Sequence, residues 1–344
     1  MPPRRAPACR AEGSRRKLRL PRVTQRLRVV SCPASLKGVL SASAAAGALA
    51  EGFRRRGIEV AEVPVADGGE GTAEVLATAL GGEWRATTVS DPLGRPVRAR
   101  YLLLPGRTAV VESAESVGLS LLRTEELDPM RASSRGLGEL IRVALGERLV
   151  SLIVCLGASA TVDGGAGLRE ALEALPVETT VACDVLSPLL GERGAARAFG
   201  PQKGASPRDV EALEARLATM EELAPVAELP GAGAAGGLGA ALAALGAELV
   251  PGAQLVLDLI GFREALAGAA LAVTGEGTVD RTTAEGKAPA AVVRACRSQG
   301  IRCVVFGGRI EQPLPGAEHV ALSGDPARAR DDLVALGERL AGEA

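Results

Sequence analysis

The chain has 344 residues, of which 47% are hydrophobic, 24% charged and 2% aromatic, with a formal net charge of −1. That is globular composition, long enough for two ordinary domains or one large one, and no apolar run approaches the ~20 residues of a membrane span. A single Trp84 and a single Tyr101 exclude an aromatic base-stacking platform, and one histidine, His319, excludes a histidine triad or a multi-histidine metal site.

Taken in chain order, residues 1–27 carry nine Arg/Lys against one Glu, which leaves the rest of the chain acidic. This head has no apolar core, so it does not read as a secretory signal, and a disordered extension is expected. The stretch "RLRVVSC", ending at Cys32, reads as a strand running into the turn "PASLKG" and then an Ala-rich helix from about 42 to 56. "GIEVAEVPVA" (57–66) alternates apolar residues and ends at "DGGEGT". Next come "EWRATTVSD", "RPVRARYLLL" and "RTAVVESA", joined at "PLGR" and "PGR", which predict antiparallel strands. Further strands are expected at 149–157 and 177–185, and an amphipathic helix over about 207–223, with Ser206 as N-cap and Pro207 in its first turn. "AALAVTGEG" (269–277), "IRCVVFGG" (301–308) and "EHVALSG" (318–324) complete the set, each followed by a turn and helical pattern. Apolar strands alternating with helices predict a parallel α/β sheet built from both ends of the chain. The expected organisation is therefore a discontinuous domain of residues 28–66 plus 269–344, interrupted by an inserted mixed α/β domain over 67–268. The six cysteines show no CxxC spacing and lie in or beside apolar runs, so free thiols and a cytoplasmic protein are expected.

Chemistry concentrates in glycine-rich turns at strand ends. They carry Ser35, Lys37 and Gly38; Asp67, Gly68, Gly69 and Glu70; Ser159, Thr161, Asp163 and Gly164; Gly236 in "PGAGAAGG"; and Gly275, Glu276, Gly277, Asp280 and Lys287 in "TGEGTVDRTTAEGKAP". Glycine lets backbone amides approach an anion, and carboxylates in the same turns suit Mg²⁺, which takes few protein oxygens plus substrate phosphates. Amides, carboxylates and isolated lysines together are the parts of phosphoryl transfer. No turn is diagnostic alone: "GAGAAGG" departs from a dinucleotide loop and no G-x-x-x-x-G-K-[ST] is present.

From about Arg28 to Gly308 the chain resembles the type I glycerate kinases. The stretches that carry the likeness include "SLKGVLSA", "VPVADGGEGTAEVL", "SSRGLGELI", "GASATVDGGAG", "ACDVLSPLLGERGAARAFGPQKGA" and "VTGEGTVDRTTAEGKAP". The resemblance implies a flavodoxin-like sheet domain interrupted by an inserted mixed α/β domain, an active site in the cleft between them, ATP and Mg²⁺, and phosphorylation of D-glycerate to 2-phosphoglycerate. It implies charge stabilisation by Lys37, metal or substrate contacts at Asp67 and Glu70, a base or metal ligand at Asp163, and phosphate contacts near Lys287. Asp184, Glu276 and Asp280 are further metal candidates, and Asp184 and Lys203 would close on substrate from the inserted domain. A small-molecule acceptor, no nucleic acid, no membrane and a homodimer complete the expectation. Two departures stand out: Ala34 occupies the position of a family aspartate, and "EALPVE" replaces a few dozen residues, which would alter the substrate end of the cleft. A same-fold kinase with another hydroxy-acid acceptor, or a non-catalytic metabolite-binding regulator, are the competing readings.

Overall fold

The computed structural model describes residues 28–183 and 185–343, so the basic head and Asp184 lie outside the described residues. In chain order the strands are β1 (Arg28–Ser31), β2 (Glu59–Glu62), β3 (Glu83–Ser90), β4 (Pro96–Leu104), β5 (Thr108–Glu112), β6 (Ser151–Leu156), β7 (Glu178–Cys183), β8 (Glu248–Pro251), β9 (Leu271–Val279), β10 (Arg302–Ile310) and β11 (Glu318–Ala321). They form two sheets, one ordered β11-β10-β9-β1-β2 and the other β3-β4-β5-β6-β7-β8.

Every pairing in the five-stranded sheet is parallel. Its strands are short apolar runs because both faces are covered. On one face, the helices Ala42–Arg55 and Ala329–Glu343 cover Val29, Val273, Val304 and Phe306. These two helices touch through glycine: a Cβ on Gly52 would stand 2.0 Å from the Val334 carbonyl oxygen. The other face carries the helix Ala288–Gln299, together with Ala253 and Leu257 of the helix Gly252–Leu259 and Phe262 and Leu266 of the helix Phe262–Leu266. From β1 the chain winds one way to β2, whereas β9, β10 and β11 run the other way. The β1/β9 boundary is therefore a topological switch point, the place where an open α/β sheet forms a ligand crevice at the carboxyl ends of its strands.

The six-stranded sheet is mixed. The pairs β3/β4 and β4/β5 are antiparallel, as the "PLGR" and "PGR" turns predict, and β5 through β8 run parallel. The sequence pattern does not announce β8, a four-residue segment of partly exposed residues ending in Pro251. The helix expected over 207–223 stops at Ala218 and gives way to a 3₁₀ segment, Glu221–Val226, containing Pro225. Proline has no amide to donate and its ring obstructs the preceding turn. At the start of that helix, Ser206 accepts from the Asp209 amide while Asp209 reaches back to the Ser206 amide.

The carboxyl ends of the two sheets meet through glycine. Gly68, at φ +91°, would place a Cβ 2.7 Å from the Gly252 Cα and 2.9 Å from the Ala182 Cβ, so a side chain there would force the loops apart. One turn on, a Cβ at Gly157 would lie 2.9 Å from the Gly69 Cα. The loop after β2 is thus pressed against the ends of β6 and β7.

Candidate active site

The turn after β1 is drawn alongside β9 by the Cys32 amide donating to the Val273 carbonyl and the Ala34 amide to that of Gly275, 2.8 and 2.9 Å. It then closes on itself, the Leu36 amide donating to the Leu40 carbonyl at 2.9 Å, with Gly38 at φ +74°. Lys37 stands at the exposed tip. Its amine makes no hydrogen bond or ion pair among the described residues.

On the neighbouring loop the Asp67 Oδ1 accepts from the Gly69 amide at 3.3 Å, and Glu70 is exposed just before the helix Thr72–Leu80. The amino end of that helix is capped from the other sheet: Glu112, the last residue of β5, accepts from the Ala73 amide at 2.6 Å and the Gly71 amide at 3.2 Å. Burial pushes the Glu112 carboxyl up to about 7 despite these amides, with the Glu115 and Glu70 charges adding to the rise.

Towards the carboxyl end of β9, the buried Glu276 accepts from the Thr283 hydroxyl at 2.7 Å. Burial raises its pKa; the Thr283 hydrogen bond and the Lys287 cation oppose the rise, and the Asp67 and Asp280 charges reinforce it. Asp280 caps the short helix Arg281–Ala284. Burial works to raise its pKa too, but hydrogen bonds from Thr282 and Thr283 together with Lys287 hold it below the usual carboxylate range. Lys287 is the N-cap of the helix Ala288–Gln299.

Several of these groups line three adjoining cavities that share lining residues at the cleft, whereas Asp280 and Lys287 line none of the three. The central one is lined by Ala34, Ser35, Lys37, Asp67, Glu70 and Glu276. Lys37 also borders a cavity of about 170 Å³ whose wall is largely apolar or glycine: Leu36, Val39, Gly277, Gly308, Pro326 and Ala329. Glu70 and Glu74 also border a cavity of about 440 Å³ on the other side, with Trp84, Arg98, Arg100 and Glu115. Lys37 from the first glycine-rich turn, Asp67 and Glu70 from the second, and Glu276 and Gly277 from the last thus lie on adjoining cavities.

Six other expected site residues, Ser159, Thr161, Asp163, Gly164, Lys203 and Gly236, form a separate cluster past β6. Asp163, 6% exposed, accepts from the Ser134 amide and hydroxyl, both 2.8 Å, and from the Gly165 and Gly167 amides, both 3.1 Å. Four donors leave it little capacity to accept a substrate proton, and it borders none of the three cavities above. Lys203 is buried beside it, donating to the Ser159 Oγ at 3.0 Å and the Thr161 carbonyl at 2.8 Å. Burial drives the Lys203 amine down to about 7, and the Asp163 charge only partly offsets this. Gly164 and Gly236 stitch the cluster to "PGAGAAGG": the Gly164 amide donates to the Gly236 carbonyl, and a Cβ on Gly236 would overlap the Thr161 carbonyl. That loop packs against protein where a dinucleotide loop would face a phosphate. Gly275 likewise serves packing, with Phe306 filling the space a Cβ would need.

Sequence reasoning missed Arg98, Arg100, Glu74 and Glu112. The alternation in "RPVRARYLLL" places Arg98 and Arg100 on one face of β4, and Glu112 is a charge closing an otherwise buried strand. Both signals needed the second sheet to acquire meaning.

The sequence model of the glycerate kinase family matches residues 29–179 and 172–323. The chain belongs to the glycerate kinase family. The glycerate kinase of Halalkalibacterium halodurans is 38% identical over 326 residues, covering 83% of this chain and 86% of that protein. The glycerate 2-kinase of Escherichia coli K12 is 38% identical over 313 residues, covering 79% and 82%. A crystal structure assigned as glycerate kinase 2 from Salmonella typhimurium LT2 superposes with a TM-score of 0.79 at 32% identity, over 92% of this chain and 98% of that one. This glycerate kinase family member is thus a kinase with the mixed α/β fold expected. The two family matches meet at residues 172–179, where the chain crosses directly from the helix Ala166–Ala171 to β7. That crossing lies at the amino ends of the parallel strands, away from the cleft at their carboxyl ends. The short crossing that remains lines none of the three cavities. Ala34 does line the cleft. Among the described residues no helix is long and apolar enough to cross a membrane.

Proposed function

We propose that the protein transfers the γ-phosphoryl group of ATP to a hydroxyl of D-glycerate, yielding 2-phosphoglycerate and ADP. The observation that carries this reading is the row of adjoining cavities at the β1/β9 switch point, in which Lys37 borders the central and apolar ones and Glu70 the central and charged ones. A nucleotide entering along the apolar part would bring its terminal phosphate to Lys37.

The carboxylates fit Mg²⁺. Burial raises the Glu276 pKa and the Asp67 and Asp280 charges reinforce the rise, a repulsion that a dication would relieve. Among the described residues no three His, Cys, Asp or Glu converge as a preformed cage, and Mg²⁺ characteristically completes its shell with water and phosphate oxygens. Asp67 and Glu70 would hold the ion, which would neutralise charge on the β- and γ-phosphates. Lys37 pairs its ammonium with oxygens of the transferring phosphoryl group. As the glycerate oxygen bonds to phosphorus, the bond from phosphorus to the ADP oxygen breaks and the hydroxyl proton passes to Glu276. Lys287, at a helix amino end, opposes the rise in the Glu276 pKa, helps hold Asp280 below the usual carboxylate range, and would add positive charge near the phosphates. Asp163 and Lys203 shape the loop after β6 in this reading and stand outside the reacting centre.

Residues 28–66 with 269–344, and 67–268, would act as two domains closing on substrate, although Phe262 and Leu266 pack with the first. A cytoplasmic setting suits both the ATP requirement and the buried cysteines Cys32, Cys155, Cys296 and Cys303, which form no disulfide among the described residues. Ala34 in the cleft wall favours one second reading, a kinase of this family with a related hydroxy-acid acceptor. A coupled ATP-to-ADP assay with D-glycerate, L-glycerate and a panel of hydroxy acids, with and without Mg²⁺, tests both. Retained ATP binding with no turnover on any acceptor would defeat the enzymatic reading.

A further inference from the structure

The charged end of the cleft contains two arginines in very different states. Arg100 is committed: its Nε and one terminal nitrogen donate to the Glu115 Oε1 at 3.1 and 2.8 Å, and its guanidinium lies 4.7 Å from the Trp84 ring centroid. Arg98, two residues earlier on the same face of β4, makes no hydrogen bond or ion pair among the described residues, although Glu70, Glu74, Glu112 and Glu115 line the same cavity. Those carboxylates are partly engaged elsewhere, Glu112 by the helix cap and Glu115 by Arg100. A guanidinium fork pairs best with a planar carboxylate offering two oxygens, and a free one in a cavity is ready for such a ligand.

We propose that Arg98 binds the carboxylate of the acceptor, and that the 440 Å³ cavity is the acceptor end of the cleft. This rests on the kinase reading above and names the group that selects a hydroxy acid over a neutral polyol. The charge pattern supports the assignment. Four carboxylates disfavour a triphosphate in this cavity, whereas a small monoanion needs one cation and its hydroxyls need acceptors, which Glu70 and Glu74 supply. Glu70 also borders the central part, so a hydroxyl directed toward it from an acid held on Arg98 faces Asp67, Glu276 and Lys37. The other end carries two carboxylates, Asp325 and Asp332, beside the apolar Leu36, Val39, Pro326 and Ala329, and suits a flat apolar base.

The test uses the full chain with Arg98→Gln and Arg98→Lys. Steady-state kinetics are measured with D-glycerate, with the uncharged amide glyceramide, and with ATP as the varied substrate. Arg98 is exposed, so unfolding temperatures should match wild type and confirm that the variants fold. The Gln variant should raise KM for D-glycerate by about 30-fold or more, leave KM for ATP within about 2-fold, and abolish the preference for the acid over the amide. The Lys variant should recover part of that preference. An unchanged KM for D-glycerate, or an increase in KM for ATP alone, would overturn the assignment. Calorimetric titration of D-glycerate into wild type and Arg98→Gln without nucleotide separates this inference from its parent. If wild type fails to phosphorylate glycerate yet binds it, and the Gln variant does not, the kinase reading fails and the carboxylate site stands. Equal binding by both proteins, or binding by neither, would end the inference.

Discussion

Replacing Lys203 with methionine should change how stability depends on pH more than it changes stability at any one pH. The amine is 2% exposed and donates to one hydroxyl and one carbonyl, with no carboxylate bonded to it. Burial lowers its pKa from 10.5 to about 7. In the unfolded chain the lysine keeps its proton until about pH 10.5, whereas the native protein releases it from about pH 7 upward. The unfolded state therefore binds more protons across that window, and stability rises with pH there. At about 1.36 kcal/mol per unit, the whole window is worth about 5 kcal/mol; from about pH 7, where the native amine is half protonated, to about pH 9, the gain is about 2 kcal/mol. Methionine has similar length and no proton, so the variant lacks this term, while every other titrating group is common to both proteins. Urea unfolding of the two proteins at about pH 7, 8 and 9 should show wild type gaining on the variant by about 2 kcal/mol. Wild type failing to gain on the variant as pH rises would refute the account of Lys203 as a buried amine that gives up its proton from about pH 7.

Lys37→Ala should leave the unfolding temperature unchanged, because the side chain is exposed and unbonded, yet lower kcat/KM by about 100-fold or more if its ammonium meets the transferring phosphate. Asp163→Ala should do the reverse: removing the acceptor of four donors should cost about 3 kcal/mol or more in a denaturation experiment. If Asp163→Asn instead keeps wild-type stability but loses turnover by orders of magnitude, the carboxylate is chemical after all. Gly277 lines the apolar part of the cleft and a Cβ there meets nothing within 4 Å, so Gly277→Val should raise KM for ATP without lowering KM for the acceptor. Ala34→Asp adds a carboxylate beside Glu276 and should move the acidic limb of the pH–rate profile to higher pH, because a like charge raises its neighbour's pKa.

Local pattern alone determined most of the elements. Short runs of Val, Leu and Ile bounded by glycine turns can satisfy their backbone only as buried strands, and "SPRD" specifies a helix start by capping chemistry. Phosphoryl-transfer chemistry was legible too, because lysines and carboxylates stand among glycines at strand ends in a protein otherwise built of Ala, Val and Leu. What pattern could not decide is which turns meet. Placing β9 beside β1 brings Glu276 to Lys37 across more than two hundred residues, and it depends on non-local sheet pairing. The close approach of Gly68 and Gly69 to Gly252 and Gly157 brings β4 and its arginines to the same cleft. The same packing turns "PGAGAAGG" into a wall for Thr161 and makes Asp163 a buried acceptor for backbone amides. A glycine-rich turn has the same sequence signature whether its amides face a phosphate or another loop, and only the neighbours supplied by the fold choose between the two.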